Sequence, residues 1–320
     1  MKRSQGQRRR CPIFHLGIFC ATLCLPLICA HATAYYVVVA GLGGEPEYQQ
    51  RFTAEAKDLE KIFKASGPNA QIYTLIGQDA TAVRLRDTLS TVAHSSKPED
   101  DFVLILIGHG SFDGMVYKFN LVGPDVSDEE IAELCNRIPS QRQLIVDTSS
   151  ASGGAIAALR HPGRAIVTAT KSGTEKNATV FARYWVEALQ DTSSDTDKSD
   201  SISALEAFTY ATKKTATFYE SQRRLATEHA VFSDASGEPV RDAGASQGAL
   251  LSNFTLLRLG STQQAANNPA KLALLAKKEE LERNIDALKY QKAAMDPADY
   301  KKQLTAMLLE LARVQQELDK

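Results

Sequence analysis

An unbroken apolar run, Phe102-Val103-Leu104-Ile105-Leu106-Ile107, stops abruptly on Gly108-His109-Gly110-Ser111. A continuous apolar stretch bounded by such a turn is the pattern of a strand buried on both faces of a parallel sheet. The glycines bring His109 out at the strand's C-terminal edge, where open α/β sheets gather their chemistry. After a helical segment from Ser127 to Arg137, a second strand, Gln143-Leu144-Ile145-Val146-Asp147, opens into Thr148-Ser149-Ser150-Ala151-Ser152-Gly153-Gly154. Two neighbouring strand ends thus present a histidine and a serine-rich loop closed by glycine.

The flanking sequence repeats the alternation. Tyr35 to Ala40 reads as a strand, Phe52 to Ser66 as a helix with Phe52, Leu59, Ile62 and Phe63 on one face and a stop at Gly67-Pro68, Gln71 to Ile76 as a strand and Thr81 to Ala93 as a helix. Ala165 to Thr170 and Val180 to Leu189 continue it, predicting a mostly parallel sheet covered by helices on both faces. Gly41-Leu42-Gly43-Gly44 follows the first strand, but Pro46 stands where a dinucleotide fingerprint needs its third glycine. Lys118 to Asp125 reads as a hairpin beside the site that brings Asn120 or Asp125 to a ligand, or as a turn at Pro124-Asp125 leading to a cap at Ser127.

A strand ending in His-Gly, followed by a strand whose loop carries Ser-Gly one residue after the nucleophile's neighbour, resembles the dyad layout of the legumain and caspase-like cysteine peptidases. The likeness runs from Tyr35 to Glu187, with Tyr36 to Gly44 similar to the family's first strand and loop, and Ala165 to Thr170 similar to the strand after its nucleophile. The resemblance implies a caspase-like α/β fold. It puts His109 in the place of the catalytic histidine, Gly110 in the oxyanion region, and Ser149, Ser152 and Gly153 around the substrate. The nucleophile's place falls on Ser150, where the family has cysteine.

A thiolate is intrinsically nucleophilic, whereas a serine hydroxyl needs a well-placed base that a third group orients. The leading reading is therefore a pseudopeptidase whose inherited cleft binds peptides or a partner protein. The alternative is a hydrolase in which Ser150, or Ser149, attacks with His109 as general base and backbone N–H groups near Gly110 and Ser150 as the oxyanion hole.

Residues 1–34 read as a secretory signal peptide. Lys2, Arg3, Arg8, Arg9 and Arg10 precede an apolar segment from Pro12 to Ala30, and Ala30-His31-Ala32 and Ala32-Thr33-Ala34 satisfy the cleavage pattern. The expectation is a secreted, periplasmic protein with no membrane segment after cleavage. Four of the five cysteines lie in this leader, leaving Cys135 alone in an amphipathic helical stretch as a buried structural thiol. Cleavage also removes five basic residues and no acid, which leaves an acidic chain and argues against a nucleic-acid partner.

The segment Asp195 to Glu206 matches a calcium-binding EF-hand loop at Asp195, Asp197, Ser199, Ser203 and Glu206, although Asp200 replaces the glycine of its sharp turn. Its other reading is an acidic linker in which Ser203 and Glu206 form a helix capping box. A calcium-stabilised assembly module is accordingly a third functional class. Glu228 and His229 are adjacent, so their spacing makes no metal pair on a helix. Ser233 to Gly248 reads as a surface loop, and Leu250 to Leu259 as a last strand at the sheet edge.

The main domain is expected over residues 35–262, with a helical appendage over 267–320. A helix start at Asn267-Asn268-Pro269 precedes Leu274, Leu281, Leu288 and Met295 at seven-residue spacing, and Asp296-Pro297 then breaks the helix. Tyr300, Met307 and Val314 alternate with Leu304, Leu311 and Leu318 in a second arm. This seam predicts an antiparallel hairpin or coiled coil that closes on itself, packs on the domain, or self-associates.

Overall fold

The computed structural model describes residues 32–66, 69–234, 238–243 and 247–320. The leader up to His31, on which the signal-peptide and secretion expectations fall, lies outside them, as do Gly67 and Pro68. In chain order the elements are β1 (Ala34–Ala40), α1 (Pro46–Ala65), β2 (Ala70–Leu75), α2 (Ala82–Ser95), β3 (Asp101–Ile107), β4 (Gly110–Phe112), β5 (Tyr117–Phe119), β6 (Val126–Ser127), α3 (Asp128–Asn136), β7 (Arg142–Asp147) and α4 (Ile156–Leu159). There follow β8 (Arg164–Thr168), α5 (Phe181–Gln190), β9 (Ser201–Ser203), α6 (Ala204–Ser221), β10 (Val231–Asp234), α7 (Ala249–Ser252), β11 (Thr255–Arg258), α8 (Gly260–Ala266), α9 (Leu272–Gln291) and α10 (Pro297–Leu318).

Six strands form the central sheet in the order β10-β8-β7-β3-β1-β2, all parallel except β10. Because side chains alternate along a strand, each apolar run feeds two cores at once. Val38, Val103, Ile105 and Val146 meet Phe52, Leu59 and Phe63 of α1, Phe181 and Trp185 of α5, and Phe208 of α6. Val37, Phe102, Leu104 and Ile145 meet Leu85, Leu89 and Val92 of α2, with Ile131 and Cys135 of α3. This is the mixed α/β architecture, with a helix-flanked and mostly parallel sheet, that the alternation predicts.

Several caps are legible in the sequence. Thr81 caps α2 by accepting from the Arg84 amide, and Ser127 caps α3 by accepting from Glu130. The segment after His109 forms the expected hairpin and adds a third strand, β4-β5-β6. It crosses the ends of β1 and β3, and a Cβ on Gly41 would lie 2.4 Å from the Asn120 carbonyl, so only glycine allows this approach.

The C-terminal part departs from expectation. The sheet edge is closed by β10, whose second half, Ser233 and Asp234, falls in the stretch read as a loop, whereas Leu250 to Leu259 holds the short α7 and then β11, which pairs with β9 in a separate two-stranded sheet. Four residues of β10, two apolar and then two polar, give no alternation to stand out. The appendage begins at Leu272, three residues after Pro269, and α8 precedes it as a separate helix. Helices α9 and α10 do form an antiparallel hairpin, seated on Leu275, Leu281, Val314 and Leu318. No helix among the described residues is long and apolar enough to cross a membrane.

Candidate functional site

The strand order places β1 and β3 side by side, with β2 following on one side and β7 and β8 on the other. Ligand crevices of open α/β sheets lie at such a reversal, outside the carboxyl ends of the strands. His109 emerges there. Its ring meets Tyr48 and Phe52 of α1 edge-on, with centroids 4.8 and 5.1 Å away. Burial and the nearby Arg51 guanidinium push the imidazole pKa below its ordinary value, partly offset by a hydrogen bond to the Gly43 backbone. His109 is consequently neutral at neutral pH.

Arg51 is a neighbour of His109 that pattern reading passed over. It sits one turn into α1, with its guanidinium 5.1 Å from the Tyr48 ring and 5.2 Å from the Phe52 ring, and it donates to the Thr179 carbonyl at 3.1 Å. Its Nε has no hydrogen-bond partner, and Glu55 stands 4.0 Å away. Burial lifts the Glu55 carboxyl to about 7, so this neighbour is a weak counter-charge at neutral pH. His109 therefore has beside it a cation whose buried Nε lacks a hydrogen-bond partner. The signal available in the sequence was a lone basic residue on the helix face that also carries Tyr48 and Phe52.

One strand over, the loop after β7 is tightly held. The Ser150 hydroxyl donates to the Gly110 carbonyl at 3.0 Å and accepts from the Gly110 amide at 3.1 Å, and the residue is only 3% exposed. A Cβ on Gly110 would lie 2.5 Å from both the Ser150 carbonyl and the Tyr117 ring, so the reciprocal contact needs glycine. No hydrogen bond joins His109 to Ser150 among the described residues. The two strand ends are brought together as expected, but the two side chains engage different neighbours.

The remaining loop residues line the support of this wall. Ser149 is fully buried, its hydroxyl 2.7 Å from the Tyr117 hydroxyl and donating to the Ser150 carbonyl, while its amide donates to Asp147. It has no surface from which to touch a substrate or to attack one. Ser152, also fully buried, and Gly153 bind the Thr170 hydroxyl, tying the loop to the end of β8. Ala151 adopts the left-handed φ of 58° and donates to the Glu175 carbonyl. Beneath them Asp147 is wholly buried, and desolvation raises its carboxyl to about 6, held back by the Ser149 and Tyr117 hydroxyls. Its Oδ2 has no hydrogen-bond partner.

Other candidates fall into structural places. Asp125 accepts from the Leu121 amide and closes a turn, whereas Asn120 bridges β1 and β3 through its backbone and leaves Oδ1 unpartnered. Cys135 is buried and burial pushes its thiol up to about 11, as expected of an inert structural cysteine. Glu228 accepts from the Val180 and Phe181 amides at the start of α5 and from Tyr219, while His229 Nδ1 lies 2.5 Å from Glu175. Their opposite partners fit the adjacent spacing that made them no metal pair.

Carboxylate oxygens of Asp195, Asp197 and Glu206 lie within 4.8 Å of one another, as the calcium-loop pattern requires. Each already serves the protein. Asp195 accepts from the Ser199 and Asp200 amides, and Asp197 accepts from Ser199. Glu206 accepts from the Thr196 and Ser203 amides and hydroxyls, completing a capping box with Ser203, and the Ser199 hydroxyl pairs with Ser201.

The chain matches no family model and no curated protein. Among solved structures, the crystal structure of protein GSU0716 from Geobacter sulfurreducens is similar to it at 13% sequence identity and a TM-score of 0.46, over 72% of this chain and 99% of that one. At that level of likeness the functional reading rests on the residues themselves.

Proposed function

We propose that this chain is a disarmed homologue of the legumain and caspase-like peptidases, whose crevice between the His109–Arg51 side and the Ser149–Gly154 loop binds a peptide or an exposed protein segment. One observation carries the reading: the Ser150 hydroxyl has its donor and its acceptor engaged by Gly110. The Gly110 amide is the group that would face a developing oxyanion, and it donates to Ser150 instead. A nucleophile in this pose has neither a base to take its proton nor a free oxyanion donor beside it.

Binding needs less. Arg51 places a partly exposed guanidinium beside aromatic rings and a neutral imidazole, which suits a carboxylate or carboxamide on an extended peptide. The test is binding and turnover of a broad peptide library by the native protein and by His109→Ala, Arg51→Gln, Ser150→Ala and Ser150→Cys. Retained binding without cleavage, weakened in His109→Ala and Arg51→Gln, supports the proposal. Cleavage by the native protein that disappears in both His109→Ala and Ser150→Ala overturns it in favour of a serine hydrolase, for which the neutral state of His109 is the favouring observation.

A further inference from the structure

One residue past Ser150, Ala151 holds a left-handed backbone, φ 58° and ψ 8°, in a place where no glycine relieves it. The Cβ of an L-residue is crowded there, so contacts from outside the loop have to keep it in that shape. Its amide donates to the Glu175 carbonyl at 2.8 Å. Glu175 belongs to the turn after β8, and this turn meets the Ser149–Gly154 loop almost backbone to backbone. A Cβ on Gly153 would fall 2.2 Å from the Ser172 amide nitrogen and 2.5 Å from the Thr170 carbonyl oxygen. The turn is therefore the surface against which the loop rests.

The Glu175 carboxylate braces that turn. Its Oε2 accepts from the Lys171 amide at 3.0 Å and from the His229 amide at 3.1 Å, while Oε1 lies 2.5 Å from His229 Nδ1. A carboxylate only accepts, so the imidazole donates. Because β10 runs antiparallel to β8 with Val231 opposite Thr168, His229 stands just outside the strand ends where the Ser149–Gly154 loop also lies. Its own backbone is anchored by the neighbouring Glu228, which is 3% exposed and accepts from the Val180 and Phe181 amides and the Tyr219 hydroxyl.

We propose that Glu175 and His229 are positioning residues for the Ser149–Gly154 loop. Their two-point contact fixes the turn after β8, the Glu175 carbonyl in that turn keeps Ala151 left-handed, and Ala151 in turn sets Ser150 against Gly110. The clamp thus ties the lead-in of the edge strand β10 to a loop two strands away. It rests on the reading of this loop as one wall of the peptide site, and it acts through Ala151 without touching the peptide. With the clamp open, Ala151 relaxes towards an ordinary backbone conformation and Ser150 leaves Gly110.

Amide hydrogen exchange followed by NMR tests this in the native protein, His229→Ala, Glu175→Ala and His229→Asn, alongside binding of a broad peptide library. Both alanine variants should speed exchange at the Ala151 and Gly110 amides about tenfold, the scale of one lost charge-assisted hydrogen bond, while Val38 and Leu104 in the central strands keep their native rates. His229→Asn, whose side-chain amide stands near the place of Nδ1, should bring the loop back to its native exchange. Peptide affinity should fall in the alanine variants and recover in His229→Asn. Unchanged exchange at Ala151 in both alanine variants overturns the proposal. So does a rise that spreads evenly into the central strands, which would mark a general loss of stability, or one that His229→Asn does not reverse. A loop that loosens and is rescued as expected, in a protein whose native form binds no peptide, upholds the clamp and removes the peptide-binding reading instead.

Discussion

Ser150 and Gly110 satisfy each other: one hydroxyl and one peptide unit exchange two hydrogen bonds across the ends of β7 and β3. The contact replaces the nucleophile–base pair that the resemblance to cysteine peptidases implies, and it joins the two loops that such a site needs free. Ser150→Ala leaves the Gly110 amide and carbonyl without this partner in a nearly buried position, which costs about 1–3 kcal/mol of stability. Denaturant unfolding should show that loss, with peptide turnover undetectable before and after. Equal unfolding midpoints would mean that the pair is replaceable by water.

Asp147 makes the loop's support sensitive to pH. Its carboxyl is raised from 3.8 to about 6 by burial, so the folded chain prefers it protonated. Its favourable contribution is fully present below about pH 4, and declines as pH rises through 4 to 6. By pH 7 the ionised group has lost about 3 kcal/mol relative to its protonated state. Asp147→Asn carries no such dependence. Thermal unfolding of the two proteins should therefore diverge between pH 4 and 6, with the variant more stable above that window. Parallel curves would show that the ionised carboxylate is compensated in the fold.

The sheet was legible because its strands are apolar throughout, and a strand buried on both faces leaves a run that competes with no other pattern. His109 and Ser150 were legible by their places at strand ends. Their separation was not, because it depends on where two side chains turn after Gly108 and Thr148. Arg51 was hidden for a related reason: its partners Thr179 and His109 are 128 and 58 residues away, and a single arginine on an amphipathic helix has no distinguishing spacing. The strand β10 was missed because it is short and its pairing with β8 is non-local.

The acidic loop offers a choice between cation and cap. Both Glu206 oxygens are engaged by Thr196 and Ser203, so a calcium ion has to displace those donors before the carboxylate can close a coordination shell. Calcium at about millimolar concentration, as an extracellular module would meet it, should leave the unfolding temperature unchanged, and so should a chelator. Glu206→Ala should still lower stability by about 1–2 kcal/mol through loss of the capping box. A calcium-dependent rise in unfolding temperature that vanishes in Glu206→Ala would instead identify a working site.

Arg51 and His109 are coupled through the charge of the guanidinium beside the imidazole. Burial is the larger cause of the lowered imidazole pKa and the Arg51 guanidinium the next, so the two contributions can be separated. Followed by NMR, the His109 ring should titrate below the usual 6.5 of a free imidazole. In Arg51→Gln it should move part of the way back, because the ring stays between Tyr48 and Phe52 and only the charge is gone. The folded chain disfavours the imidazolium, so the native protein loses stability as pH falls through 6.5 towards the lowered value, and the variant loses less. The same substitution should weaken binding of acidic peptides about fivefold and change neutral peptides little, since a guanidinium–carboxylate contact on a partly exposed side chain is worth roughly 1 kcal/mol. An unmoved His109 titration in Arg51→Gln would separate the two residues electrostatically, and equal weakening for neutral and acidic peptides would remove Arg51 as the anchor.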